Sequence, residues 1–281
     1  MIGDKFIINF TPTGIIPTKA MTPYVPVAPE EIISEVLKAR EYGVSIVHLH
    51  ARYANGDPAW EKDIYRSIVQ GIREVDGYSN RSLILCLSTS GRAWPDFAKR
   101  SECLELEGAA KPDMASLTLS SLNFARSASI NSPEMIYKLA QKMMDRGIKP
   151  ELEIFDSGMI NYAKYLHRKG IIQPPFYFNI ILGNIASAQP GLLDVGYLIS
   201  QLPENSYWSL GGIGGAQFRM NITGILYGGG IRIGLEDNIY FDEGPEQIGF
   251  QSGIAGTNPG YPCQAGQNSL HAGRGAPHFR A

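Results

Sequence analysis

The sequence predicts a parallel (β/α)8 barrel, and three observations support this fold class. Eight short apolar runs, rich in β-branched residues, alternate with amphipathic segments of helical period along most of the chain. At 281 residues the chain is long enough for one such barrel, which takes roughly 250 residues. The polar residues with the clearest chemical pattern follow two of the predicted strands, where a barrel carries its catalytic groups. We therefore expect one barrel domain over residues 1–240.

The predicted elements follow one another in strict alternation. Strands are predicted near 6–10, 45–50, 82–88, 114–118, 151–155, 176–182, 207–211 and 230–235. Helices are predicted over 29–42, 60–75, 133–146, 157–169, 191–202 and 216–227. The first helix begins at Pro29, followed by two acids that suit a first turn, and Gly43, Gly147 and Gly170 stand where three helices should end.

The main alternative to a barrel is a doubly wound open sheet. An open sheet usually carries a phosphate-binding Gly-X-Gly-X-X-Gly pattern in its first turn, whereas the first turn here reads Thr11-Pro12-Thr13-Gly14.

The end of the chain departs from a regular barrel. Residues 241–281 are rich in Gly, Pro, Gln, Ser and Asn and lack a helical period. We expect an atypical tail there, irregular or the product of a truncated or frame-shifted reading, with the final helix atypical or missing.

Composition favours small-molecule chemistry in a reducing compartment. The chain has 25 basic and 27 acidic residues, a formal charge of -2 and no basic block, so nothing favours nucleic acid as a partner. No run reaches the roughly 18 consecutive apolar residues of a membrane span, and no secretory leader is visible. Three cysteines without zinc or redox spacing suit a reducing cytoplasm. We expect a cytoplasmic protein that is not bound to a membrane.

The segment His48-Leu49-His50 closes an apolar run that is typical of a buried strand. Because side chains alternate along a strand, both imidazoles leave it on one face, with Cα atoms about 6.5 Å apart. Two imidazoles at this spacing can bind one metal ion, although the same pattern also occurs in ordinary hydrogen-bonded strand residues. Catalytic zinc usually has three protein ligands, and Glu236 at the end of the last predicted strand is the best third candidate. The pattern favours a zinc centre formed by His48, His50 and Glu236.

Taken together, several motifs resemble those of the β-keto acid cleavage enzymes over about residues 5–240. They are residues 11–14 with 17–19, 48–52 with 56, 88–91, 114–117, 123–124, 150–156 and 229–238. The resemblance implies a zinc-dependent barrel enzyme that converts a β-keto acid and acetyl-CoA to a new acyl-CoA and acetoacetate. It also implies a homo-oligomer, often a tetramer.

The resemblance assigns roles to residues at the end of the last strand. His48, His50 and Glu236 match the family's metal ligands, Asp237 matches its general base, and Arg232 holds that base. Elementary chemistry agrees, because removal of the acidic C2 proton needs a base outside the metal's ligand shell. Asp237 and Glu236 have opposite parity in a regular strand, so we expect a turn or bulge at 236–238.

Further residues are predicted to contact the substrate or to support the base. Ser88 and Thr118 fall near positions that contact substrate, although they could equally cap the helices that follow. The resemblance implies that Glu153 supports the base. We expect either Glu153 or Glu151, on the same strand face, to enter the barrel. A structural ion pair between Glu153 and a cation such as Arg232 is the alternative, and it could be true alongside that role.

The loop after the first strand and two glycine clusters bear on the substrates. Thr13 and Gly14 are predicted to contact the keto acid. Some relatives carry a glutamate where this chain has Ile15-Ile16, which favours an apolar or neutral substrate tail. The clusters at 211–215 and 228–230 could hold part of CoA or only permit tight turns.

Two other functions stay open from the sequence alone. The same metal site could serve an aldolase or hydratase that stabilises an enolate without CoA. The chain could instead be a non-catalytic metal-binding barrel. Asp237 and Arg232 argue against the second alternative, because a structural zinc site is closed by four protein ligands and needs no base.

Overall fold

The first and last strands pair with each other, so the sheet closes into a ring. The computed structural model describes residues 6–77, 83–245 and 248–249. Each strand pairs with the next along the chain, and the pairing of the first with the last sets Asn9 opposite Arg232. The eight parallel strands are β1 (Ile8–Phe10), β2 (Ile46–Leu49), β3 (Ile84–Leu87), β4 (Met114–Thr118), β5 (Lys149–Ile154), β6 (Phe176–Leu182), β7 (Ser206–Gly212) and β8 (Gly230–Ile233). The predicted barrel is confirmed, and the open sheet was the wrong alternative.

Helices follow seven of the eight strands. They are α1 (Pro29–Arg40), α2 (Lys62–Asp76), α3 (Phe97–Ser101), α4 (Pro133–Asp145), α5 (Ser157–Arg168), α6 (Leu192–Gln201) and α7 (Ala216–Leu226). Short 3-10 turns cover Glu102–Glu105 and Gly108–Ala110, and two small hairpins pair Ala51–Arg52 with Pro58–Ala59 and Leu122–Asn123 with Ala128–Ser129. All six predicted helices are present. The additional helix α3 has only five residues, too few to show a helical period in the sequence.

Local signals in the sequence explain where the helices begin and end. Pro29 occupies the first turn of α1, and the Glu31 carboxylate accepts hydrogen bonds from the backbone N–H groups of residues 27 and 28. Gly43, Gly147 and Gly170 have φ values of 86°, 60° and 76°, so each adopts the left-handed conformation that ends a helix. These features account for the start of α1 and for the ends of α1, α4 and α5.

The strands sort their side chains into two apolar clusters. The large cluster lies between the ring and the helices, and β2 contributes Val47 and Leu49 to it. A small cluster with Ile46, Cys86 and Tyr177 fills one end of the barrel interior. Since side chains alternate along a strand, His48 follows Ile46 on the inner face, towards the carboxyl end of β2. The barrel interior is therefore apolar towards the amino ends of the strands and polar towards their carboxyl ends.

The described residues after β8 form turns and no helix. A turn covers residues 235–237, Tyr240 forms a short antiparallel bridge with Ile248, and Gly249 N–H donates to Ile239 O at 2.8 Å. Most of the predicted atypical tail, at 246–247 and 250–281, lies outside the described residues. Within the part of the chain that the structure covers, no helix is both long and apolar enough to cross a membrane.

Candidate active site

Three side chains from two distant parts of the sequence converge at the carboxyl end of the barrel. His48 Nε2 and His50 Nε2 are 3.3 Å apart, and Glu236 Oε1 lies 3.4 Å from His50 Nε2 and 3.9 Å from His48 Nε2. A tetrahedral zinc ion with bonds of about 2.0–2.1 Å holds its ligand atoms roughly 3.3–3.4 Å apart. Glu236 Oε2 is also buried without a hydrogen-bond partner among the described residues. The donor set fits one divalent ion with a coordination position left open.

A turn immediately after β8 lets two adjacent acids face the same site. The strand ends at Ile233, and the N–H groups of Asp237 and Asn238 donate to Gly234 O at 3.3 and 3.4 Å. Gly234 is required here, because a Cβ at this position would lie 2.1 Å from Thr11 O. The turn expected at 236–238 is thus present one residue earlier, and it brings Glu236 and Asp237 to one side.

Arg232 holds this turn from inside the barrel. Its Nε donates to Asp237 Oδ2 at 2.7 Å, and its Nη2 donates to Glu236 Oε1 at 2.9 Å and to Asp237 Oδ1 at 3.3 Å. Burial alone would lower the pKa of Arg232, but the surrounding carboxylates, Asp237 first, raise it well above its ordinary value. Burial raises the pKa of Asp237, which Arg232 partly offsets. The net effect is a pKa of Asp237 above its ordinary value.

Glu153 and Thr118 lie beside this cluster on neighbouring strands. Thr118 Oγ1 donates to Glu153 Oε2 at 2.6 Å, and Glu153 Oε1 lies 3.7 Å from Arg232 Nη1. Nη1 is buried and has no hydrogen-bond partner among the described residues. Both Glu153 and Glu151 turn into the barrel, whereas we expected only one. The interior accepts both because Glu151 has a different partner, the ring of His48 at 2.6 Å.

Neither Ser88 nor Thr118 caps the helix that follows it. The cap of α3 is Asp96, which accepts from Lys99 N–H at 3.0 Å, and the cap of α4 is Ser132. Ser88 Oγ instead accepts from the N–H of residue 90 at 3.2 Å. The capping alternative is therefore wrong, and both residues line the cavity described next.

A cavity of about 680 Å³ opens above the site. The predicted residues that line it are His48, His50, Ser88, Thr118, Glu153, Arg232, Glu236 and Asp237. Its outer wall is mainly apolar and includes Ile15, Ile16 and Phe124. Arg92 also lines it, with its guanidinium carbon 3.9 Å from the centre of the Phe124 ring. This volume suits a small-molecule site.

Thr13 and Gly14 lie beneath the site and do not line the cavity. Thr13 is fully buried, and its hydroxyl has no hydrogen-bond partner among the described residues. Gly14 has a φ of 60°, and a Cβ there would lie 2.6 Å from Glu236 Cγ. Gly14 thus leaves room for the side chain of Glu236, and the predicted substrate contact of Thr13 and Gly14 stays a prediction.

Two buried residues that shape the site, Glu151 and Arg52, received no site role from the sequence; Glu151 was expected only as an alternative to Glu153 inside the barrel. Glu151 contacts His48, and its position two residues before Glu153 on one strand face was the available signal. Arg52 donates to Gly14 O and Pro17 O, each at 2.8 Å, and so ties the loop after β1 to the end of β2. Its place two residues after His50 was the only hint.

The two glycine clusters lie at opposite ends of the barrel. Gly214 and Gly215 follow β7 and line the cavity. Gly229 precedes β8, and a Cβ there would lie 2.1 Å from the Trp208 ring. Only the first cluster is placed to contact a substrate; the second permits close packing.

Comparisons with known proteins agree with this geometry. A model of the beta-keto acid cleavage enzyme family matches residues 5–248. The 3-keto-5-aminohexanoate cleavage enzyme of Fusobacterium nucleatum subsp. nucleatum is 36% identical over 242 residues, covering 86% of this chain and 85% of that protein. The 3-oxoadipate:acetyl-CoA acetyltransferase of Cupriavidus necator is 33% identical over 241 residues, covering 84% and 81%.

A solved structure supports the fold independently. The apo structure of ObcA superposes with a TM-score of 0.68 at 21% identity, over 79% of this chain and 57% of the ObcA chain. At this identity the likeness concerns the fold alone. The family model covers most of this chain, and the alignments with the two enzymes cover most of each relative's length. The chain therefore belongs to the beta-keto acid cleavage enzyme family.

Proposed function

We propose that this protein is a zinc-dependent acyltransferase that converts a β-keto acid and acetyl-CoA to acetoacetate and a new acyl-CoA. The observation that supports this most is the position of Asp237. It is held 2.7 Å from Arg232 Nε, next in sequence to Glu236, at the floor of a cavity large enough for a small acid. A metal centre with an adjacent carboxylate base is what proton removal beside a ketone requires.

The metal would be held by His48, His50 and Glu236. Burial would raise the pKa of Glu236, but the neighbouring His50, Arg232 and His48 hold it well below its ordinary value, so its carboxylate is ionised as a ligand must be. Bound zinc supplies a Lewis acid that polarises the keto oxygen. The remaining catalytic work falls to side chains of this chain.

Asp237 acts as the base in this proposal. It takes a proton from C2 of the keto acid, and the resulting carbanion forms a bond to the acetyl carbon of acetyl-CoA while the carbon-sulfur bond breaks. The released CoA thiolate attacks the original ketone, and the bond between C2 and that carbon breaks. Asp237 then returns its proton to C2, which gives acetoacetate and the new acyl-CoA. Arg232 keeps Asp237 oriented throughout.

Hydroxyl groups and the apolar wall would select the substrate. Ser88 Oγ accepts from a backbone N–H, which leaves its own O–H to donate to the carboxylate of the keto acid. Thr118 donates to Glu153 and so fixes the carboxylate that faces Arg232. Ile15 and Ile16 line the cavity, which supports an apolar or neutral tail on the keto acid.

We also propose that the protein works as a homo-oligomer, such as a tetramer. Apolar side chains stand exposed on the outer helices, including Leu193 on α6 and Leu226 at the end of α7, at 90% and 72% exposure. Large apolar side chains that stay exposed are available for a contact between subunits.

The test is acetoacetate formation from a panel of β-keto acids with acetyl-CoA. We expect product with zinc-loaded protein, none after chelation, and recovery when zinc is returned. Product without acetyl-CoA, or turnover that survives chelation, would contradict the proposal, and a carbonyl product formed without CoA would favour an aldolase.

His50→Ala tests the metal site within the same assay. We expect it to lose both bound zinc and turnover. His167→Ala is the matched control, because His167 packs against Phe176 at 5.1 Å and does not line the cavity. It should keep both.

A further inference from the structure

The carboxylate of Glu151 lies directly behind the candidate metal ligand His48. Glu151 Oε2 is 2.6 Å from His48 Nδ1, and the two side chains are 0% and 1% exposed. Because a carboxylate only accepts hydrogen bonds, Nδ1 carries the proton in this contact. With a proton on Nδ1, Nε2 is the ring nitrogen that is left to bind a metal ion, and it faces His50 and Glu236 on the opposite side of the ring.

Contacts from three other strands fix Glu151 in this position. Its Oε1 accepts from Asn9 Nδ2 and Asn179 Nδ2, both at 2.6 Å, and Cys86 Sγ donates to its Oε2 at 3.2 Å. These residues belong to β1, β6 and β3. Glu151 cannot rotate away from His48 without breaking these bonds.

The network continues one step further across the barrel. Tyr177 accepts from Asn9 Nδ2 at 3.0 Å and contacts Asn179 Oδ1 at 3.3 Å, and its hydroxyl lies 2.9 Å from Ser209 Oγ. The two amides that hold Glu151 are therefore themselves held. These hydrogen bonds restrict the orientation of both amides, although Asn9 Oδ1 itself has no partner among the described residues.

We propose that Glu151 is a positioning residue that fixes the tautomer and the orientation of His48 and thereby strengthens metal binding at Nε2. This inference rests on the proposed metal site. A carboxylate behind a ligating histidine raises the basicity of that ligand, and the loss of such a partner typically weakens metal affinity about 10–100-fold. Glu151 does not line the cavity, so its effect passes through His48.

A competing arrangement would place a metal among His48, Cys86 and Glu151, whose ligand atoms lie within 4.8 Å of one another. An ion there would need the lone pair of His48 Nδ1 and would displace its hydrogen bond to Glu151. It would also share Glu151 with the two amide donors that already occupy Oε1. The geometry assigns Nδ1 to Glu151 and leaves Nε2 for the ion.

The experiment compares zinc affinity in Glu151→Gln and Glu134→Gln. The glutamine keeps the shape of Glu151 and removes its charge. Glu134→Gln makes the same change in an exposed side chain of α4 that pairs with Lys138 and does not line the cavity. Zinc dissociation constants are measured by competition with a chromophoric chelator, so no turnover is needed. We expect the constant of Glu151→Gln to rise about 10–100-fold, while Glu134→Gln binds zinc as the parent does.

A second measurement does not depend on the folding of a variant. Nitrogen-15 NMR of the histidine side chains in the zinc-loaded parent should show zinc on His48 Nε2 and a proton on His48 Nδ1. Zinc on Nδ1 would overturn the inference, as would an unchanged affinity in folded Glu151→Gln. A parent that binds no zinc would overturn the proposed function as well, so the two failures are distinguishable.

Discussion

Arg232 binds Asp237 through two of its nitrogen atoms, and one of these also binds Glu236. The distances are 2.7 Å from Nε and 3.3 Å from Nη2 to Asp237, and 2.9 Å from Nη2 to Glu236. One guanidinium therefore sets the position of the candidate base relative to the candidate metal ligand. A planar donor of this kind offers a geometry that lysine cannot reproduce.

Replacement of Asp237 by Asn should abolish most turnover while zinc remains bound. The amide keeps the size and some of the hydrogen bonding of the side chain but cannot take a proton. Since general base catalysis typically contributes about 10²–10⁴-fold, we expect kcat to fall by that amount. Steady-state kinetics and zinc content by elemental analysis check the two halves of the prediction.

The control for this substitution lies in the same loop. Asp242→Asn changes a carboxylate whose Oδ1 accepts only from Gly244 N–H in the described part of the chain, at 3.0 Å. It should leave kcat unchanged. If Asp237→Asn kept the turnover of the parent, another group would have to be the base.

Replacement of Arg232 by Met should destabilise the fold strongly. It would leave Glu236, Asp237 and Glu153, which are at most 16% exposed, together without their shared cation. Breaking a buried ion pair by removing one partner typically costs about 3–5 kcal/mol, because an uncompensated charge is left in the interior. Urea unfolding of the metal-free proteins measures this change in the free energy of unfolding.

Arg219→Met provides the comparison for Arg232. Arg219 makes a similar two-point contact with Glu243, at 3.0 and 2.9 Å, but the side chains are 60% and 48% exposed. Water can solvate both charges after the change. The unfolding midpoint should stay close to that of the parent, and equal losses in the two variants would show that burial does not decide the effect.

Gly14→Ala should weaken zinc binding as well as stability. The new Cβ would lie 2.6 Å from Glu236 Cγ and 3.0 Å from Glu236 Cα, so the ligand would have to move. Gly56→Ala separates this collision from backbone strain, because Gly56 also has a positive φ, of 89°, with nothing within 4 Å of its Cβ position. Chelator competition and thermal unfolding should show lower stability in both variants but weaker zinc binding only in Gly14→Ala. Normal zinc affinity in folded Gly14→Ala would contradict the prediction.

Local patterns in the sequence predicted much of the fold, and they indicated which side chains the structure brings together at the candidate site. The alternation of side chains placed His48 and His50 on one face, and the parity of Glu236 and Asp237 required the turn that follows β8. The contact between His48 and Glu151 joins residues 103 positions apart. No local pattern in the sequence predicts such a contact, because the contact depends on which side chains share the interior of the closed barrel.

Ile15→Glu should change which substrates are accepted. Ile15 lines the cavity, and a glutamate there would attract a β-keto acid with a cationic tail. It would disfavour a β-keto acid with an apolar tail, because that tail would leave the glutamate carboxylate poorly solvated. We expect the ratio of kcat/KM for an amino-substituted over an alkyl β-keto acid to rise about tenfold or more, equivalent to about 1.4 kcal/mol. Ile130→Glu is the matched control, because Ile130 is 59% exposed and does not line the cavity. An unchanged ratio in Ile15→Glu, or an equal rise in both variants, would mean that the loop after β1 does not select substrates by their tails.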